Sequence, residues 1–224
     1  MRAAILVAGL ALAGPVLADS QLVLNRALSD AEFYKAVACG APPGQGCRID
    51  MVRWPRAVAR DLAVRVAATE PRLAREHGRA GVNALQAALD EINGAGAGIV
   101  LRRVGAGEAA PIEVWFSDLG EGDPIVLPGE ILPSGDRMEG ARVYIWWNDD
   151  RQIESAVIIL SHDLLAGEIR SVMLEELTQS LGFLTDLEGA AYAETSIFSE
   201  TSNAITRLRG QDRMVIRRHY PPQN

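Results

Sequence analysis

The sequence predicts an α+β fold: a mixed, twisted sheet of about five strands, a backing helix, an amphipathic helix after the last long strand and a C-terminal helix. Three observations point there. The strand-like runs "GIVLRRV", "IEVWFSD", "ARVYIWWN" and "ESAVIILS" fall within residues 98–161. The helix-period stretch "GVNALQAALDEING" precedes them, and a second, "SVMLEELTQSLGF", follows them. A charged, apolar-periodic tail closes the chain before Pro221 and Pro222.

The 224 residues begin with a leader. Met1 and Arg2 are followed by the apolar run "AAILVAGLALAG", too short to span a bilayer, and Val16-Leu17-Ala18 offers the small residues read by a signal peptidase. The expected cut is after Ala18, giving a periplasmic or secreted bacterial protein without a transmembrane segment in the mature chain. Residues 19–51 are expected to hold an N-terminal helix and a disulfide loop, and residues 52–224 the main domain.

Ser29-Asp30-Ala31-Glu32 reads as a capping box, opening a helix that runs to about Cys39. The two cysteines, Cys39 and Cys47, bracket "GAPPGQG", whose Gly and Pro let the chain turn back. In an exported chain this predicts a disulfide. "MVRWPRAVARDLAVRVAA" reads as one or two strands broken near Pro55. In the next helix Val82, Leu85, Leu89 and Ile92 share a face, and Gly94 stops it. "NGAGAG" follows a helix and precedes a strand, the reverse of a dinucleotide fingerprint, so it is a turn. "NDDR" joins the last two strands as a hairpin, and the uniformly apolar "ESAVIILS" is expected inside the sheet. Trp146 and Trp147 should alternate faces, one in the core and one exposed. The loop Gly120–Gly140 is long enough to be a functional rim. Helices are expected over residues 167–182 and 204–220.

Composition narrows the chemistry. Without Arg2 the mature chain carries 21 basic against 29 acidic residues, a net charge of −8. That acidity argues against nucleic acid as a partner. The cluster Arg207–Arg218 is interrupted by Asp212 and reads as a solvated helix face. The three histidines, His77, His162 and His219, are scattered, and no G-x-S-x-G elbow accompanies them. His162, beside Asp163, is a polar strand end.

The stretch "EELTQSLGF", Glu175–Phe183, carries the most information. Leu174, Leu177 and Leu181 form a core stripe, leaving Glu175, Glu176 and Gln179 on the other side. Read alone, that is an amphipathic helix with a wet polar face. Gly182, near the expected helix end, lets another backbone approach.

Set against H-E-x-x-H-x-x-G-x-x-H, the segment resembles the zinc helix of the metzincin peptidases. The general-base position is Glu176 and the glycine is Gly182, while the three ligand positions hold Glu175, Gln179 and Thr185. "TSIF" places Ser196, Ile197 and Phe198 where that family carries its Met-turn. Asp212, Ile216 and Tyr220 match the rhythm of its closing helix. The resemblance covers residues 52–220. The same combination resembles an uncharacterised family of exported bacterial proteins, a domain of unknown function with a zincin-like pattern and no helix histidines.

The resemblance implies a metzincin-like zincin fold in residues 52–224 with a degenerate active-site helix. It also implies that the fourth strand, here residues 141–147, is a sheet edge along which substrate lies antiparallel. Zinc needs imidazole, thiolate or carboxylate donors, and Gln179 and Thr185 are poor replacements. Asp186 is a possible substitute ligand. The expectation is a metal-free, non-catalytic pseudoenzyme, with no cofactor, that binds a peptide or an envelope protein along residues 141–147. The alternative is a divergent hydrolase with Glu176 as general base and a metal on Glu175 and Asp186.

Overall fold

The structure is a computed structural model that describes residues 16–17, 20–69, 78–126 and 136–222. His77, the middle of the long loop (residues 127–135) and most of the expected leader lie outside the described residues. In chain order the elements are β1 Val16–Leu17, β2 Ser20–Val23, α1 Asp30–Cys39, α2 Arg56–Ala59, β3 Leu62–Thr69 and α3 Gly78–Asn93. Then come β4 Leu101–Arg103, β5 Ile112–Phe116, β6 Ala141–Trp147, β7 Ile153–Leu160, α4 Ile169–Gln179, β8 Thr185–Glu188 and α5 Gly210–His219.

The fold is α+β around a mixed sheet in the order β1-β6-β7-β5-β3-β4. β7, β5, β3 and β4 run parallel to one another, and β6 is antiparallel to β7. β7 is interior, as its continuous apolar run requires. Alternation along the strands sends Val143, Ile145, Ile158 and Val114 into the main core under the helices. It sends Tyr144 and Ile159 to the opposite face, where Ile125 and Met138 from the two ends of the long loop cover them. The loop ends are tied to each other by Gly122 N–H to Met138 O at 2.8 Å and Met138 N–H to Asp123 O at 2.9 Å. The described parts of this loop therefore wall the sheet, as well as leading into the site.

Several expectations need correction. The stretch 51–68 holds one short helix and one strand, because Pro55 opens α2 with a helical φ and the chain turns before Leu62. The tail helix starts at Gly210, whose φ of 44° turns the chain just after the extended Arg209. Trp146 and Trp147 alternate faces as expected, Trp146 with Tyr144 and Trp147 with the main core, but neither is exposed: both are half-buried. Two strands had no sequence signal. β2 and β8 pair in parallel, Ser20 with Thr185 through Val23 with Glu188, and bring Leu22 into the core.

The capping box forms as expected, with Ser29 and Glu32 each satisfying the other's backbone N–H. Cys39 and Cys47 are disulfide-bonded, with a Cα–Cα distance of 5.1 Å. Among the described residues no helix is long and apolar enough to cross a membrane.

The C-terminal segment ties the cleft helix down. Tyr220 Oη donates to Leu181 O at 2.6 Å and accepts Trp54 N–H at 3.0 Å. His219 Nε2 meets Val52 O at 2.8 Å and its Nδ1 meets Tyr34 Oη at 3.1 Å. Between these clamps sits Gly182, with φ 103°; a Cβ there would lie 2.2 Å from Val52 O. Only glycine permits this approach. Gly182→Ala is expected to lower unfolding free energy by roughly 2–4 kcal/mol. Gly96→Ala, at φ 74° with nothing within 4 Å of a Cβ, is expected to cost only about 1 kcal/mol. Urea titration of both variants checks the difference. Replacing both cysteines by serine opens a short closed loop and is expected to cost about 2–3 kcal/mol in the same measurement.

Candidate functional site

α4 is buried nearly all round. Leu174, Leu177 and Leu181 occupy the core stripe as their spacing predicts. The other side corrects the wet-face expectation: Glu176 is only 9% exposed and Gln179 only 3%. They are not solvated because three other segments close over them.

The first is the chain after Gly182. It reverses into β8, and Asp186 meets the helix again, accepting Gln179 Nε2–H at 2.8 Å. Two of the positions implied by the resemblance, Gln179 and Asp186, are thus bonded to each other. The third ligand position, Thr185, is buried at the start of β8, in register with Ser20.

The second segment is the turn Ser196–Ile197–Phe198. Asp212, in the first turn of α5, holds it: its carboxylate accepts Ser196 Oγ–H at 2.8 Å and Ile197 N–H at 3.0 Å. Phe198 packs at 5.6 Å from Phe183 and 6.1 Å from Phe33. Leu187 N–H reaches Phe198 O at 2.7 Å and Glu200 N–H reaches Leu187 O at 3.2 Å, which puts Ser199 and Glu200 at the rim. The third segment is the end of the long loop with β6. Arg142 and Glu139 pair at 2.7 Å above the helix.

Together these segments enclose a cavity of about 200 Å³. Its ionisable lining is Glu139, Arg142, Glu175, Glu176, Asp186 and Glu200. The helix alone offers only adjacent Glu175 and Glu176. Asp186, Glu200, Glu139 and Arg142 complete the cluster, and of these only Asp186 was a sequence candidate. Glu200 follows the Ser196–Phe198 turn by two residues, which is the only local cue it had. Glu139 and Arg142 arrive through the hairpin order of the sheet, which no short motif encodes.

Burial and neighbouring carboxylates dominate the electrostatics. Desolvation and then Asp186 push the Glu176 carboxyl up to about 8, with Arg142 opposing. Burial, then Asp186, Glu176 and Glu200, push Glu175 up in the same direction. One oxygen of Glu176, Oε2, is buried without a hydrogen-bond partner. Asp212 is pushed up to about 7 by burial, against its bonds to Ser196 and Ile197.

The zinc implied by the resemblance does not fit these residues. Gln179 presents an amide bonded to Asp186, and Thr185 is a hydroxyl within a strand. Among the described residues no group of three or more His, Cys, Asp and Glu is arranged to hold a metal. The described histidines lie elsewhere: His219 is a core clamp held neutral, its basicity lowered to about 4 by burial, and His162 pairs with Asp163 at 3.0 Å.

All the residues that line the cavity fall in one segment of the chain. Residues 136–223 match the family described as Protein of unknown function (DUF2927). The DUF2927 segment carries β6, β7, α4, β8, the Ser196–Phe198 turn and α5, so the cavity and the Asp212 anchor are both its own. No curated protein matches the chain.

These shifts set a pH dependence. A carboxyl whose folded value is raised contributes stability in full below its unfolded value and loses it as pH rises towards the folded one. Glu175 and Glu176 therefore weaken the fold from about pH 4.5 upward, to about 8 for Glu176, and Asp212 does so up to about 7. His219 works in the opposite sense, losing stability only as pH falls below 6.5. From pH 6.5 to 8 the carboxyls act alone, and stability is expected to fall, with Glu176 contributing on the order of 1–2 kcal/mol. Urea midpoints at the two pH values read this directly. Glu176→Gln should flatten the slope; an unchanged slope in the variant contradicts the assignment.

Proposed function

We propose that this chain is an exported, non-catalytic peptide-binding module on a metzincin-like scaffold, periplasmic or secreted, whose β6 edge captures an extended segment of an envelope protein. The observation that carries the reading is the state of that edge. Val16 and Leu17 lie on it as an antiparallel strand, Val16 opposite Ile145 and Leu17 opposite Tyr144. The edge therefore accepts an added extended chain, which is how strand addition binds peptides: backbone hydrogen bonds give affinity and side-chain pockets give choice.

Two further features support it. Setting β1 aside, the sheet order places the fourth strand, β6, at the margin and antiparallel, next to the cleft helix. That is the arrangement the metzincin resemblance implies. The leader and the disulfide Cys39–Cys47 both suit an oxidising compartment. Removal of the leader after Ala18 would take β1 away and open the edge.

The hydrolase reading rests on one observation, the buried and proton-retaining Glu176 in a cleft. It is the weaker of the two. A general base must be ionised, and a carboxyl raised to about 8 holds its proton at neutral pH. The metal that reading needs would require Asp186, which is bonded to Gln179.

The bond from Ser161 N–H to Gly140 O at 2.7 Å fixes the alternation along β6. By that alternation Arg142 and Tyr144 turn their amides to β7, and Val143 and Ile145 turn theirs outward. On titration of a protein lacking residues 1–18 with an array-selected extended peptide, hydrogen exchange is expected to slow at Val143 and Ile145. Arg142 and Tyr144 should already be slow. Protection of a different surface, or none, contradicts strand addition.

A further inference from the structure

The cavity under β6 has a composition that strand addition alone does not require. Five carboxylate residues line it, Glu139, Glu175, Glu176, Asp186 and Glu200, against one cation, Arg142. Two of its donors are already engaged. Arg142 Nη2 is bonded to Glu139 at 2.7 Å, and Gln179 Nε2 to Asp186 at 2.8 Å. Glu176 is more than nine-tenths buried, and its Oε2 lines this space with no partner. A buried acceptor left without a donor costs free energy, which a donor entering the cavity recovers.

We infer that this cavity is a specificity pocket for a basic side chain, lysine or arginine, of the peptide bound along β6. The inference rests on the strand-addition reading above and names the residue class that reading leaves open. A cation supplies only donors: on entering it displaces the proton of Glu176 to solvent and pairs with the carboxylate left behind, and charge-assisted bonds are the strong kind. The size agrees: about 200 Å³ has room for roughly six waters, enough for an ammonium or guanidinium group and part of its stem. Ala141, Val143, Leu164 and Val172 give the stem apolar contact while the charged end reaches the carboxylates. The position agrees too. Among the described residues β1 pairs with Tyr144 and Ile145, and the cavity lies beside Ala141–Val143, further along the same strand.

The test uses the mature chain, residues 19–224, and three probes: acetyl-Val-Thr-Lys-Thr-Val-amide, its arginine counterpart and its norleucine counterpart, which keeps the stem and removes the charge. Affinities are read by calorimetry at moderate salt. The lysine or arginine peptide is expected to bind at least tenfold more tightly than the norleucine peptide. Glu176→Gln is expected to reduce that ratio below threefold. Glu113→Gln, remote on β5, should keep the full ratio. Equal binding of all three peptides overturns the basic pocket and leaves strand addition standing. Binding of none overturns strand addition and this inference together. Micromolar binding of calcium or zinc that Glu176→Gln abolishes would assign the carboxylates to a metal and overturn the inference as well.

Discussion

Val52 O lies where a Cβ on residue 182 would sit, and that contact sets the geometry around the cleft. Because Gly182 takes a left-handed φ, the chain leaves α4, turns beneath Val52 and returns as β8 on the helix's polar side. Asp186 meets Gln179 as a result, and the parallel pairing with β2 follows. His219 and Tyr220 lock the same corner from the C-terminus, using Val52 O, Leu181 O and Trp54 N–H. A larger residue at 182 would move β8, and with it both the cavity floor and the N-terminal strand.

The carboxylates gathered by this turn oppose folding. Buried acids repel one another and lose hydration, so the fold keeps protons on Glu175 and Glu176 well above the usual carboxylate range. A cation at this place would balance such charge. Crowding acidic side chains around a partly buried cavity is costly unless something cationic compensates. Arg142 compensates one side of the cavity; Glu176 Oε2 remains on the other.

Much of this was legible in the sequence wherever a local rule governed the outcome. The Ser29 capping box, the disulfide, the Leu174–Leu177–Leu181 stripe, the β6–β7 hairpin and the close approach at Gly182 each depend on a short pattern with one physical solution. β2 and β8 were not legible, because each is four residues long and gains its strand state only by pairing across the molecule. The helix polar face looked solvated because nothing within α4 shows that β8, Glu200 and Arg142 close over it. Asp212 is the instructive intermediate case. Its spacing to Ile216 and Tyr220 marked the closing helix, but its role as anchor of the Ser196–Phe198 turn appears only in the fold.

The account turns on a peptide lying antiparallel on β6 with its basic side chain in the carboxylate cavity. A crystal structure of the mature chain, residues 19–224, with saturating acetyl-Val-Thr-Lys-Thr-Val-amide tests this most directly. The account predicts the peptide backbone bonded to Val143 and the lysine nitrogen within hydrogen-bonding distance of Glu176 Oε2. A peptide bound on another surface, or on β6 with its lysine in solvent and the cavity unchanged, would contradict it.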